Sequence, residues 1–202
     1  MEVLFFGTGV PLHGLRHLLD AIDQCEGVRL TLIGGAADDR KRARAMPSHK
    51  VCVADEFVPE AQLRRYLDRT HLVAGVFGTS DKARRVVPLK VMLGLSAGRP
   101  VITGRTPAIT STLRDGVECV TVPMGDDKAL AMELQRLADA PEQLRALAAA
   151  GGCAYRREFS LTRVGERLRS VCAGLAEGGV FTAPADHVDL QPELNELEAC
   201  TR

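Results

Sequence analysis

Arg84-Arg85-Val86-Val87-Pro88-Leu89-Lys90-Val91-Met92-Leu93-Gly94-Leu95-Ser96-Ala97-Gly98-Arg99-Pro100-Val101-Ile102-Thr103 reads as a loop, then a proline-opened helix, then a buried strand. Pro88 suits the first turn of a helix, where a missing N–H leaves no bond unmade. Leu89 to Ala97 carries the helix, and Gly98 is a fitting stop. Arg99-Pro100-Val101-Ile102-Thr103 is a short apolar strand of the kind covered on both faces in a parallel sheet. Free N–H groups at such a helix start, with Arg84, Arg85 and Lys90 close by, suit a phosphorylated ligand. An ordinary helix with charged flanks would show the same local pattern.

Working outward, strand and helix patterns alternate along the chain. Strands are predicted at Val3–Phe6, Val28–Ile33, Val51–Val53, Leu72–Phe77, Arg99–Thr103 and Glu118–Val122. Leu15, Leu18, Leu19 and Ile22 give the helical spacing of the first crossover. Further helices are expected over Ala36–Met46, Pro59–Arg69, Pro107–Arg114, Asp127–Ala138, Pro141–Ala150 and Ser160–Leu175, the last capped by Ser160. Gly78 to Val87 reads as a loop. Strands separated by helices of this length imply an α/β fold: a single doubly wound parallel sheet of about six strands. Ligands of such sheets bind beyond the strand carboxyl ends, at the switch in strand order. The loops at Gly7-Thr8-Gly9, Gly34-Gly35, Ala54 to Phe57 and Gly78 to Val87 would converge on that rim.

The 202 residues suffice for one domain with a sizeable core, at 46% hydrophobic and 26% charged. Basic and acidic residues balance at 26 each, which gives no electrostatic case for nucleic acid as a partner. No apolar run approaches the roughly 20 residues of a membrane helix. The opening MEVLFFGTG lacks the charged region and cleavage site of a secretory signal, and begins directly in a strand. The six cysteines form no C-x-x-C pair and no metal-ligand spacing with histidine. They lie mainly in apolar segments, and a reducing cytoplasm suits them. The expected division is a domain over 1–177 and a weakly ordered acidic tail over 178–202, with a short helix from Pro192 to Ala199.

The glycine loop Gly7-Thr8-Gly9-Val10-Pro11-Leu12-His13-Gly14 follows a strand and opens a helix, as phosphate-binding turns do. It departs from the dinucleotide fingerprint, because Leu12 stands where the third glycine belongs. The acidic residue that should end the second strand is replaced by Gly34-Gly35. No G-x-x-x-x-G-K-[ST] run and no nucleophile elbow occurs. His13, in the first strand-to-helix loop, either serves the site or caps and packs its turn. Asp55-Glu56 is the acidic pair of the rim, for acid–base work or simple solvation.

Residues 1 to about 175 resemble the C-terminal, donor-binding half of the retaining group 1 glycosyltransferases, whose GT-B fold pairs two Rossmann-like domains. GTGVPLHGL is similar to that family's opening glycine loop, often written Lys-Gly where this chain has His13-Gly14. VRLTLIGG resembles its second strand and glycine turn, and FVPEAQLRRYL the segment after the third strand. FGTSDKARRVVPLKVMLGLSAGRPVITGRTPAI resembles the donor-phosphate loop, its helix and the next strand. LRDGVECVTVPMGDDKALAMELQRLADAPEQLRAL resembles the strand and paired helices that follow.

The resemblance implies a transferase moving a sugar from a nucleotide-sugar to an acceptor. By position, Gly7, Thr8, Gly9, His13 and Gly14 would lie near the diphosphate or sugar. Arg85 and Lys90, with the helix start at Leu89, would hold phosphate charge. The family often carries two glutamates eight residues apart around this helix; Arg85 and Leu93 stand there in this chain. The resemblance also implies a missing N-terminal acceptor domain, on the same or a separate chain, so that this chain alone would be half an active site. A non-catalytic nucleotide- or partner-binding module and a GT-B sugar-nucleotide epimerase are the alternatives. The expected partner is the nucleotide-sugar, with peripheral membrane contact left open. No cofactor and no metal are expected, since basic side chains and helix N–H groups can neutralise a diphosphate.

Overall fold

The computed structural model describes residues 1–54 and 57–176. The pair Asp55-Glu56 and the acidic tail 178–202, with its expected short helix, lie outside the described residues. Residues 1–163 form one compact unit, and a second begins at Val164.

The elements alternate as the sequence implies: β1 (Glu2–Gly7), a 3-10 turn (Pro11–His13), α1 (Leu15–Gln24), β2 (Arg29–Gly34), α2 (Ala37–Ala45), β3 (Val51–Val53), α3 (Glu60–Arg69) and β4 (Leu72–Ala74). There follow α4 (Asp81–Arg85), α5 (Leu89–Ser96), β5 (Val101–Gly104), α6 (Pro107–Thr110), β6 (Val120–Val122), α7 (Asp127–Ala138), α8 (Pro141–Glu158) and α9 (Leu161–Ala176). The six strands form one sheet in the order β3-β2-β1-β4-β5-β6, and all pairings are parallel. The order reverses between β1 and β4, so that the switch point lies between their carboxyl ends.

Alternation along the strands feeds two cores. Val3, Phe5, Leu30 and Leu32 pack with Leu15, Leu18, Leu19 and Ile22 of α1 and with Leu130 and Leu134 of α7. Leu4, Ile33 and Val73 face the other way, toward Leu67 of α3 and Val91 and Leu95 of α5. The spacing of α1 delivers its four apolar residues to one face, each at most 3% exposed. Ser160 caps α9, its Oγ accepting from the Arg163 N–H at 3.3 Å.

Several boundaries differ from the sequence reading. β4 stops at Ala74 instead of Phe77, because the chain turns to bond with the end of β5: Val76 N–H donates to Thr103 Oγ1 at 3.2 Å. α8 does not stop at Ala150 but continues through Gly151-Gly152 to Glu158. A Cβ on Gly151 would lie 2.7 Å from Leu95 Cδ2 and 2.9 Å from the Glu118 carbonyl oxygen. Close helix packing therefore outweighs the poor helix propensity of glycine there. α6 ends at Thr110 and β6 begins only at Val120, since the intervening chain turns Glu118 inward.

Glu118 is 1% exposed. Its carboxylate accepts from the Arg114 N–H at 3.0 Å and Arg114 Nη2 at 2.7 Å, and from Arg157 Nη1 of α8 at 3.0 Å. Burial opposes its charge, but the hydrogen bonds from Arg157 and Arg114 hold its pKa down at about 2, against an ordinary 4.5. Glu118→Gln leaves two guanidinium groups facing a neutral amide. Both guanidiniums remain in contact with water, so the loss of these charge-assisted bonds is expected to destabilise the fold by about 1.5 kcal/mol, read from urea denaturation. A depressed carboxyl pKa stabilises the native state above pH 4.5, and that stabilisation is lost as pH falls toward 2. The variant should lack this acid limb.

Candidate functional site

At the switch point the chain leaving β1 lies backbone-to-backbone on two neighbours. The Gly35 N–H donates to the Gly7 carbonyl at 2.7 Å. Gly9 has a left-handed φ of +77°, and a Cβ there would be 1.9 Å from the Ala36 backbone nitrogen. Gly14, at φ +59°, would drive a Cβ to 2.3 Å from the backbone nitrogen of Gly78. These are positions only glycine occupies without displacement. The Phe77 N–H donates to the His13 carbonyl at 3.0 Å and the Gly78 N–H to the Leu12 carbonyl at 3.1 Å. The 3-10 turn is thus tied to the chain beyond β4, and α1 starts from Gly14.

Into this cradle comes Lys90 from the first turn of α5. The residue is 6% exposed, and its ammonium has no hydrogen-bond partner among the described residues. Nζ lies 4.0 Å from the centre of the Phe5 ring, a cation–π contact that replaces only part of its lost hydration. A Cβ on Gly7 would be 3.1 Å from Nζ and 2.9 Å from His13 Cε1. The amine, the imidazole and the bare Gly7 backbone therefore share one small space. Burial drives the Lys90 pKa from 10.5 down to about 7. His13 falls from 6.5 to about 4, through burial first and the nearby Lys90 second. His13 Nδ1 accepts from the Gly9 N–H at 3.2 Å, which assigns the proton of the neutral ring to Nε2. Its ring stands edge-on to Phe5, with centroids 5.6 Å apart. His13 thus packs its own turn, and its Nε2–H is left as a donor.

The structure brings together Gly7, Gly9, His13, Gly14 and Lys90. Thr8 is exposed on the same loop. Leu89 opens α5 with its side chain 68% exposed, and Arg85 is half-buried at the end of α4. The expected loop over Gly78–Val87 is corrected by α4 itself, which packs beside the 3-10 turn. Its legible signal was Ser80, whose Oγ accepts from the Ala83 N–H at 3.4 Å, followed by Asp81 in the first turn. Pro88 stands one residue before α5, at its cap. Phe5 was missed, because a strand aromatic reads as core until a cation is found over its ring. Lys90, read as a rim charge, is interior.

Leu93, where the resemblance implies a glutamate, has no side-chain group to bond a hydroxyl. Among the described residues no three histidine, cysteine or carboxylate side chains gather as a metal site. Cys25 and Cys119 are buried free thiols, whereas Cys52, Cys153 and Cys172 are exposed, contrary to the apolar setting read for them. No described helix is long and apolar enough to cross a membrane.

Residues 1–140 match the family model of group 1 glycosyl transferases. Among solved structures, Anabaena HepE in complex with UDP-glucose superposes with a TM-score of 0.71 at 17% identity, over 86% of this chain and 48% of that one. Sucrose-phosphate synthase from Thermosynechococcus elongatus gives 0.74 at 19% identity, over 88% and 46%. The C-terminal domain of a group 1 family glycosyl transferase from Francisella tularensis gives 0.65 at 12%, over 79% and 86%. The chain thus spans about half the length of the first two. No curated protein matches it by sequence.

A buried amine with a depressed pKa has a stability signature. Between pH 7 and 10.5 the unfolded chain holds the proton on Lys90 that the native state sheds, so stability rises with pH across that window. Lys90→Met removes the charge while keeping the bulk. It should raise the melting temperature at pH 7 by roughly 4 °C or more, with the difference shrinking toward pH 10. A thermal series across pH reads both.

Proposed function

This chain belongs to the group 1 glycosyl transferases, and from that premise we propose that it is the donor-binding half of the transferase, taking the diphosphate of a nucleotide-sugar at the Gly7–His13–Lys90 cradle. The observation that carries the reading is the orphaned Lys90 ammonium. It is buried against the glycine loop, at the switch point where ligands of such sheets bind. A buried cation without an anion is costly, and an arriving phosphate supplies the missing partner.

In this reading the chain's own groups act by binding and charge. Lys90 takes its proton back as the diphosphate arrives, and the charged pair forms in a site largely closed to water. His13 donates from Nε2 to a phosphate or sugar oxygen, its ring held by the Gly9 N–H and Phe5. The main chain at Gly7 to Gly9, without side chains at either glycine, allows close approach of the ligand. Arg85, at the end of α4, adds charge on the outer side. Neutralisation by these groups leaves no requirement for a divalent ion. The resemblance implies transfer with retention, and an acceptor site on a second Rossmann-like domain that closes over this rim.

The half-length coverage of HepE and sucrose-phosphate synthase supports that second domain. Leu93 favours the rival reading of a non-catalytic nucleotide module, because a leucine cannot hold the donor ribose. Hydrolysis or transfer by the protein joined with its second domain would separate the two.

Calorimetric titration with UDP-, GDP- and ADP-sugars tests donor binding. One class should bind, unaffected by a chelator, and Lys90→Met should weaken it about ten-fold or more, with a smaller effect on the free nucleoside. At pH 8.5, buffers of different ionisation enthalpy should reveal uptake of about one proton on binding, absent in the variant. Failure of all three donors to bind a folded chain would overturn the reading.

A further inference from the structure

On the sheet face served by α3, at the opposite end of the strands from the glycine rim, lies a cavity of about 720 Å³. Its floor is formed by Leu4 and Thr31 of β1 and β2, which are register partners, with Arg29 at the start of β2. Its roof is the Gln62, Arg65, Tyr66, Arg69 face of α3, residues spaced to share one side of a helix. Three arginines, Arg29, Arg65 and Arg69, all solvent-exposed, thus line one space, and among the described residues Glu2 is its one acidic lining residue. None of the three has an ion-pair or side-chain hydrogen-bond partner among the described residues, and neither do the Thr31 hydroxyl, the Tyr66 hydroxyl or the Gln62 amide.

This concentration does not follow from a basic composition, since the chain is neutral overall. Elsewhere arginines such as Arg114, Arg136 and Arg157 are paired with glutamates. Water and salt screen these exposed charges from one another, and an anion seated among them meets all three at once. The planar fork of arginine matches phosphate oxygens in pairs. The volume falls within the range of sites for whole small ligands, and the half-buried Tyr66 ring gives an apolar wall beside the charges.

We propose that this cavity is a second anion site, taking a phosphate-bearing ligand with an apolar or ring portion, separate from the glycine-loop cradle. The phosphate is held between Arg29 on the sheet and Arg65 and Arg69 on α3, and the apolar portion lies on Tyr66. The same chemistry is offered by a soluble organic phosphate and by a phospholipid headgroup at a membrane surface.

The test uses the Lys90→Met chain, so that the glycine-loop cradle does not contribute, and compares it with the same chain also carrying R65A and R69A. The soluble arm titrates inorganic pyrophosphate calorimetrically, and the surface arm sediments the chain with phosphatidylglycerol vesicles against phosphatidylcholine vesicles. Saturable binding in either arm, weakened ten-fold or more by R65A and R69A with the melting temperature unchanged, supports the site. Binding only of pyrophosphate identifies a soluble ligand, and binding only of anionic vesicles identifies a headgroup. Binding in neither arm, or binding that the two substitutions leave intact, overturns the proposal. A donor titration in the R65A R69A chain with Lys90 restored should be unaltered, which keeps this outcome apart from the donor reading.

Discussion

The close approach of three backbone segments at the β1–β4 switch point sets the geometry of everything around it. The main chain at Gly9 touches that at Ala36, and Gly14 touches Gly78. Neither approach admits a Cβ, and both residues need a left-handed φ that other side chains resist. The consequence is a loop without bulk at the place where the sheet opens. The same contacts aim α1 and hold the 3-10 turn on the chain beyond β4. The cradle and the fold are therefore one construction, and the site cannot loosen without loosening the crossover from β1 to β2.

Lys90 shows what such a frame does to a charged group. Its helix places it inside, and no acceptor waits there. The Phe5 ring offers the amine a weak electrostatic partner, and depressed basicity absorbs the remainder. Folding tolerates the charge poorly, so affinity for an anion and stability of the empty chain pull in opposite directions. Glu118 is the contrasting case. It too is buried, but Arg114 and Arg157 satisfy it, and it acts to join the β6 approach to α8. One buried ionisable group is completed by the fold, and the other has no hydrogen-bond partner among the described residues.

Much of this was legible in the chain itself. Apolar runs of three to six residues, punctuated by Gly7, Gly34 and Gly104, specify strands buried on both faces, and the spacing of Leu15, Leu18, Leu19 and Ile22 specifies the first crossover. Alternation with helices leaves a parallel sheet as the consistent arrangement, and the ordered series of motifs pointed to the family. Glycines in the first loop and Lys90 were readable as neighbours on one rim, and the structure places Lys90 Nζ against Gly7. The errors fell where local pattern and packing disagree. β4 was shortened by hydrogen bonds to Thr103, a residue 27 positions away from Val76. α8 ran through two glycines because Gly151 faces Leu95.

The sequence by itself determined the fold class, the family and the identity of the loops that meet at one rim, because these depend on periodicity and on residues whose backbone freedom is intrinsic. Tertiary structure alone decided the state of the groups in that rim. Whether Lys90 is a solvated surface charge or a buried amine near pKa 7, and whether His13 is a base or a neutral donor, depends on how much water the surrounding segments exclude. The arginines of α3 and β2 likewise share a cavity only because parallel pairing sets Arg29 next to Glu2 under the helix. Distances across a sheet are fixed by register and crossover, and no local stretch of residues encodes them.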